Sequence, residues 1–192
     1  MELRDGNLPD LFIFDFGDRS NYSEDTMRYS SFLVISLFVL SSHLAWAQDL
    51  MVGDPAPEFS TTDDAGMPVS LKAFRGKIVI LYFYPKDNTP GCTKEAESFR
   101  DRMSGFEGKN AVILGVSFDS ENSHQRFKEK HKLPFRLLVD PDKKIAKAYG
   151  ASGMFFASRD TFVIDSRGRI IKIYRGVNPS SHADDLLKGL TK

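Results

Sequence analysis

The chain has 192 residues, enough for one ordinary domain and too few for two. At 41% hydrophobic and 27% charged residues it has ordinary globular proportions, with no low-complexity tract and no internal repeat. A formal net charge of zero argues against nucleic acid as a partner, and a single cysteine excludes an internal disulfide and a four-cysteine zinc site.

The first 47 residues stand apart. They hold three basic and seven acidic residues, so the remainder of the chain is modestly positive. From Met27 the sequence reads MRYSSFLVISLFVLSSHLAWA: one arginine, a nine-residue run from Phe32 to Leu40, a polar stretch, then Ala45-Trp46-Ala47 in an A-x-A pattern. The apolar run is shorter than the roughly 20 residues of a membrane span. The order of features predicts a secretion signal cleaved after Ala47, with a short buried helix as the alternative. The mature chain would then begin at Gln48, be periplasmic or secreted, keep no stable membrane association and lack Trp46, the one tryptophan. Residues 1–26 are acidic, carry Phe12, Phe14 and Phe16, and do not fit a signal, so translation is expected to start at Met27.

In the remainder, residues 48–192, Pro55 and Pro57 exclude helix from Val52 to Pro57. Glu58 to Thr62 reads as a short strand, Asp63 to Gly66 as a turn, and Pro68 to Leu71 as a strand pairing back. Lys72 to Gly76 is a helical turn. Ile78 to Tyr84 is a nearly continuous apolar strand, the pattern of burial on both faces. A helix opened by Thr89 runs through Phe99. Ala111 to Phe118 is a second apolar strand, Ser120 to Lys132 a polar helix with Phe127 inward, Leu133 to Val139 a strand and Lys143 to Tyr149 a short helix. Thr161 to Ile164 and Ile170 to Tyr174 flank Asp165-Ser166-Arg167-Gly168, a hairpin signal. A last helix spans Ser181 to Leu190, with Ser181 as its cap. Parallel crossovers followed by a hairpin predict an α/β, thioredoxin-like fold: a central mixed sheet flanked by helices, with an added N-terminal β-hairpin.

The chemistry gathers at Thr89-Pro90-Gly91-Cys92. The lone cysteine stands in the first turn of a helix, just past a buried strand. Unpaired helix N–H groups and the positive end of the helix dipole favour a sulfur anion there. A lone cysteine is otherwise an inert small hydrophobe, but the neighbours of Cys92 are Thr-Pro-Gly and Thr-Lys-Glu, not the apolar company of a core thiol.

Pro85 to Cys92 matches the P-x-x-x-T-x-x-C motif of peroxiredoxins, and YPKDNTPGCTKEA with the later SRDTFVID resembles the Q-type, bacterioferritin comigratory protein-like branch. The resemblance runs from about Val52 to Leu190. It implies that Cys92 is the peroxidatic cysteine, that Thr89 bonds the bound peroxide, that Pro85 shields the thiolate, that Arg159 stabilises it, and that Glu95 orients Arg159. The amides of Gly91 and Cys92 would add donors for developing negative charge. Many Q-type members carry a resolving cysteine five positions after the first. Here that position is Glu97. The resemblance therefore implies a one-cysteine, thiol-dependent peroxidase reducing hydrogen peroxide and organic hydroperoxides. Its sulfenic acid would be reduced by an external thioredoxin-like protein or small thiol. No cofactor and no metal are implied, and both monomers and homodimers occur among such proteins.

Other readings compete. A surface charge opening a strand would explain Arg159 alone, and a solvated helix position would explain Glu95. His43, His124, His131 and His182 lack metal-ligand spacing. Asp63-Asp64 and Asp184-Asp185 read as turn and helix-surface carboxylates, and Lys128 to Lys132 as a solvated face. Two alternatives of other classes are a non-catalytic thioredoxin-fold binding module and a thiol–disulfide oxidoreductase. Against the second, Glu95 occupies the place of the second cysteine of C-x-x-C.

Overall fold

The computed structural model describes residues 49–190. The expected secretion signal, the start at Met27, the cleavage after Ala47 and the loss of Trp46 lie outside the described residues. Among the described residues, seven strands and five α-helices follow one another. An N-terminal hairpin pairs β1 (Ser60–Thr62) with β2 (Pro68–Ser70), and a 3-10 turn, Leu71–Phe74, leads to Gly76, whose φ of +88° lets the chain reverse into the sheet. Next come β3 (Ile78–Phe83), α1 (Pro90–Asp101), α2 (Met103–Glu107), β4 (Ala111–Ser117), α3 (Glu121–His131), β5 (Arg136–Val139) and α4 (Lys144–Ala148). The chain ends with β6 (Thr161–Ile164), β7 (Ile170–Tyr174) and α5 (His182–Gly189).

The central sheet has the order β5-β4-β3-β6-β7. Strands β3, β4 and β5 are parallel, joined by helical crossovers, whereas β6 pairs antiparallel with β3 and with β7. The mixed sheet predicted from the element order is therefore present, with the hairpin turn where Asp165 to Gly168 indicated it. The Asp165 carboxylate accepts from the amides of Arg167 and Arg169 and holds that turn closed.

Strand β3 shows why an unbroken apolar run was required. Val79, Leu81 and Phe83 face one layer, packed with Phe59, Tyr149 and Phe162. Ile80, Tyr82 and Tyr84 face the other, packed with Cys92, Ala96, Phe99 and Phe127. Alternate side chains point to opposite faces, and both faces are covered. In the register, Tyr82 lies opposite Gly115 of β4. A side chain at Gly115 would come within 2.8 Å of the Tyr82 hydroxyl and 2.9 Å of Leu137, so only glycine leaves the ring its space.

Several local expectations need correction. β5 begins at Arg136, not Leu133. The chain leaves α3 through Lys132 in the left-handed region, and Pro134 has no N–H for a ladder. Ser181 precedes α5 but its side chain caps nothing. Asp63 and Asp64 do lie in the turn, yet both are buried. The first accepts from the amides of Ala65 and Met67, and the second accepts from the Leu137 amide and pairs with Lys128. The stretch from Lys128 to Lys132 is thus no purely solvated face, since His131 also bonds Glu97 of α1 at 3.0 Å.

Candidate active site

The β3–α1 loop places the cysteine. The chain leaves β3 through the buried Tyr84, turns at Asn88 with φ of +57°, and becomes extended at Thr89. Asparagine tolerates that left-handed backbone better than most residues. Pro90 then opens α1, where its missing N–H costs nothing. Cys92 sits in this first turn, and the first intrahelical bond runs from the Thr93 amide to the Thr89 carbonyl at 2.9 Å. The amides of Gly91 and Cys92 precede any intrahelical acceptor.

Cys92 is 1% exposed, but it is not enclosed by hydrocarbon alone. Arg159, two residues before β6, reaches its Nη2 to 3.5 Å from the Cys92 Sγ, while its Nη1 donates to Glu95 Oε2 at 2.5 Å. One guanidinium therefore bridges the sulfur and a carboxylate one helical turn further along α1. Gly91 makes the seat: a side chain there would meet Arg159 Nη2 at 3.3 Å. The structure thus unites Cys92, Gly91, Glu95 and Arg159. The positions of Arg159 and Glu95 are neither a free surface charge nor a solvated helix face.

Burial dominates the electrostatics of Glu95. It pushes the carboxyl up to about 7 even though the Arg159 charge and hydrogen bond pull the other way. Its Oε1 is buried and bonds to no described residue. For Arg159, burial acts against the charge, but Glu95 and the Cys92 sulfur outweigh it and hold the guanidinium above its usual value. Tyr82 lies beneath the same corner. Burial, then the charges of Glu95 and Cys92, keep its phenol firmly protonated.

The Thr89 hydroxyl donates to the Lys86 carbonyl at 3.0 Å, and its side chain does not cap α1. Pro85 lies in the same loop, half-buried, beside Lys86 and Phe118. At position 97, where a resolving cysteine would stand, Glu97 is engaged with His131.

Sequence reasoning missed what anchors this loop. The buried Asp87 carboxylate accepts from Tyr84 Oη at 2.7 Å and from Ser123 Oγ at 2.7 Å, and lies 3.0 Å from His124 Nδ1. The Asp87 amide donates to Asp119. Burial alone would raise the Asp87 carboxyl, but the hydrogen bond and charge of His124, then Tyr84 and Ser123, hold it below its usual range. A tyrosine at the end of a strand buried on both faces was the available signal, because a buried hydroxyl usually finds a partner, although that of Tyr82 bonds to no described residue.

This constellation, a cysteine at a helix start met by a guanidinium on a mixed α/β sheet, defines a thiol-chemistry enzyme of thioredoxin-like fold. The model of the AhpC/TSA family matches residues 52–173. Peroxiredoxin Bcp of Bacillus subtilis is 44% identical over 147 residues, covering 72% of this chain and 94% of that protein. The chloroplastic Peroxiredoxin Q of Sedum lineare is 43% identical over 140 residues, 71% of this chain and 75% of its own. Among solved structures, peroxidoxin BcpB of Mycobacterium tuberculosis superposes with a TM-score of 0.70 at 32% identity, covering 73% and 96% of the two chains. The bacterioferritin comigratory protein of Xanthomonas campestris gives 0.66 at 33%, covering 69% and 89%. The chain belongs to the AhpC/TSA family and is a peroxiredoxin of the Q/Bcp kind, a thiol-dependent peroxidase.

Proposed function

We propose that this peroxiredoxin reduces hydrogen peroxide and organic hydroperoxides by a one-cysteine cycle at Cys92. The observation that carries the reading is the Arg159 guanidinium spanning Cys92 Sγ and Glu95, beside the only cysteine of the sequence. The ionised sulfur attacks one peroxide oxygen as the O–O bond breaks. Sulfur keeps that oxygen as Cys92–SOH, and the leaving alkoxide or hydroxide takes up a proton. Negative charge grows on oxygen in this step, and the guanidinium with the first-turn amides of Gly91 and Cys92 is placed to oppose it. Thr89 and Pro85 shape the approach from the loop side, where both are half-exposed. Organic peroxides are included because the Xanthomonas campestris relative is described for alkyl peroxide reduction.

With no second cysteine, regeneration uses an outside thiol. That thiol forms a mixed disulfide with Cys92 and releases water, and a second thiol then frees the Cys92 sulfur. The Met27–Ala47 pattern supports a periplasmic or secreted site of action, which N-terminal sequencing of the native protein tests.

The decisive experiment is intact mass after one equivalent of peroxide, with stopped-flow peroxide consumption alongside. The mass gains one oxygen, trapped by a sulfenic-acid reagent, and Cys92→Ser abolishes both signals. A protein that gains no oxygen, or a Cys92→Ser variant that still turns over, refutes the reading.

A further inference from the structure

Most large apolar side chains are buried, but three consecutive ones are displayed. Met154, Phe155 and Phe156 are 81%, 74% and 50% exposed. They are held out by a tight turn: the Gly153 amide donates to the Phe156 carbonyl at 3.0 Å, Ser152 bridges Ala157, and Lys143 Nζ grips the Met154 carbonyl at 2.6 Å. A side chain at Gly153 would sit 2.5 Å from the Phe156 carbonyl oxygen, so glycine is required for the turn. The apolar tip is thus a built feature, and its exposure to water is unfavourable in the isolated chain.

Its position ties it to the sulfur chemistry. Phe155 and Phe156 line a shallow hollow together with Pro85 and Lys86 of the cysteine loop and with Phe118 and Asp119. Ala157 turns inward, and two residues on is Arg159, which contacts Cys92 Sγ. One short segment therefore carries both the apolar tip and the guanidinium of the active site.

We propose that this tip is the docking surface for a protein dithiol that reduces oxidised Cys92. The proposal rests on the one-cysteine reading above. A cycle without a resolving cysteine must admit a second molecule's sulfur to Cys92, and the hollow shared by Phe155 and Phe156 adjoins the loop that carries Cys92. Three side chains so exposed present on the order of a few hundred Å² of apolar surface. A lasting dimer buries more than about 1,000 Å² in total, whereas transient redox encounters occupy the low end of the interface range. The size fits a partner that arrives, exchanges electrons and leaves. Its nucleophilic cysteine would lie in an apolar rim that seats on Phe155 and Phe156. That cysteine displaces water from Cys92–SOH to give the mixed disulfide, and its neighbouring thiol attacks the partner's own sulfur. Cys92 leaves as thiolate and the partner as disulfide.

The test compares wild type with Phe155→Ser/Phe156→Ser, separately and combined. Single-turnover oxidation of Cys92 by hydrogen peroxide and turnover supported by dithiothreitol should stay within twofold. Turnover supported by a purified thioredoxin should fall at least tenfold through a raised KM for thioredoxin. Unchanged thioredoxin-supported turnover overturns the proposal, as does a wild type that dithiothreitol reduces but neither a thioredoxin nor a glutaredoxin reduces. Equal loss of all three activities places the defect in the site or the fold and also overturns it. So does loss confined to long-chain alkyl hydroperoxides, or a dimer-to-monomer change in sedimentation, which would assign the tip to substrate or to self-association. If wild-type Cys92 forms no sulfenic acid, the failure belongs to the one-cysteine reading instead.

Discussion

Arg159 does two things with one planar group, and its geometry explains why a guanidinium is needed. Nη1 holds Glu95 while Nη2 faces the sulfur, a fork that a lysine ammonium cannot reproduce. Glu95 is half of the device. Anchored on α1, it fixes the guanidinium against the helix that carries Cys92, and its burial makes that anchoring costly as the pH rises. Replacing Arg159 by Gln is expected to lower the second-order rate constant for Cys92 oxidation by about 10² to 10³, the usual loss when one charge-stabilising group is removed. Arg159→Lys should recover only a small part of it. Stopped-flow measurement of the oxidation step alone, before any thiol is added, checks both.

At the scale of the element, the question is what keeps the first turn of α1 in place. The answer is the Asp87 cluster. Three partners from two elements, Tyr84 at the end of β3 and Ser123 and His124 on α3, converge on one carboxylate in the loop. His124 Nε2 in turn meets the Leu138 carbonyl in β5 at 3.2 Å, so the tether reaches across the parallel half of the sheet. Cutting Asp87 back to alanine takes the shared acceptor from a buried histidine, a buried tyrosine hydroxyl and a half-buried serine hydroxyl. The expected cost is about 3 to 5 kcal/mol in urea unfolding, as for a buried pair stripped of one member. The surviving folded fraction should also oxidise more slowly at Cys92, because the loop that orients the helix start has lost its anchor. A cost below about 1 kcal/mol would show that the cluster only fills space.

For the whole molecule, two buried titratable groups set opposing pH trends. His182 docks α5 on β6 through Thr161 Oγ1 at 2.8 Å, and burial pushes its imidazole down to about 4 from 6.5. A base with a depressed folded value gives stability that is complete above 6.5 and lost as pH falls through about 4. Glu95, raised from 4.5 to about 7, does the reverse: its stability is complete below 4.5 and lost as pH rises through about 7. Each shift amounts to about 3 kcal/mol at most. Between these limits the two slopes offset each other, and the wild type should be nearly flat in unfolding free energy from about pH 5 to 6.5. His182→Gln removes one arm, and its stability should then fall steadily as pH rises through that interval. Glu95→Gln should show the opposite slope. Urea titrations at a series of pH values read both, and parallel profiles for all three proteins would refute the assignment.

The sequence by itself determined the strands of the central sheet, apart from the start of β5, and the helices α1, α3, α4 and α5, whereas the short α2 carried no signal. Continuous apolar runs at Ile78 to Tyr84 and Ala111 to Phe118 have no stable place except between two covered layers. It also located the cysteine at a helix start, because Thr-Pro-Gly is local chemistry that acts on its own backbone. Hydrogen-bond partners distant along the chain were a different matter. That Asp87 meets His124 and that Asp63 and Asp64 turn inward were settled by packing. Short polar side chains have several acceptable partners, and only the assembled sheet decides which of them is within about 3 Å. The same holds for Arg159, whose 67-residue separation from Cys92 is closed by the antiparallel seating of β6 against β3.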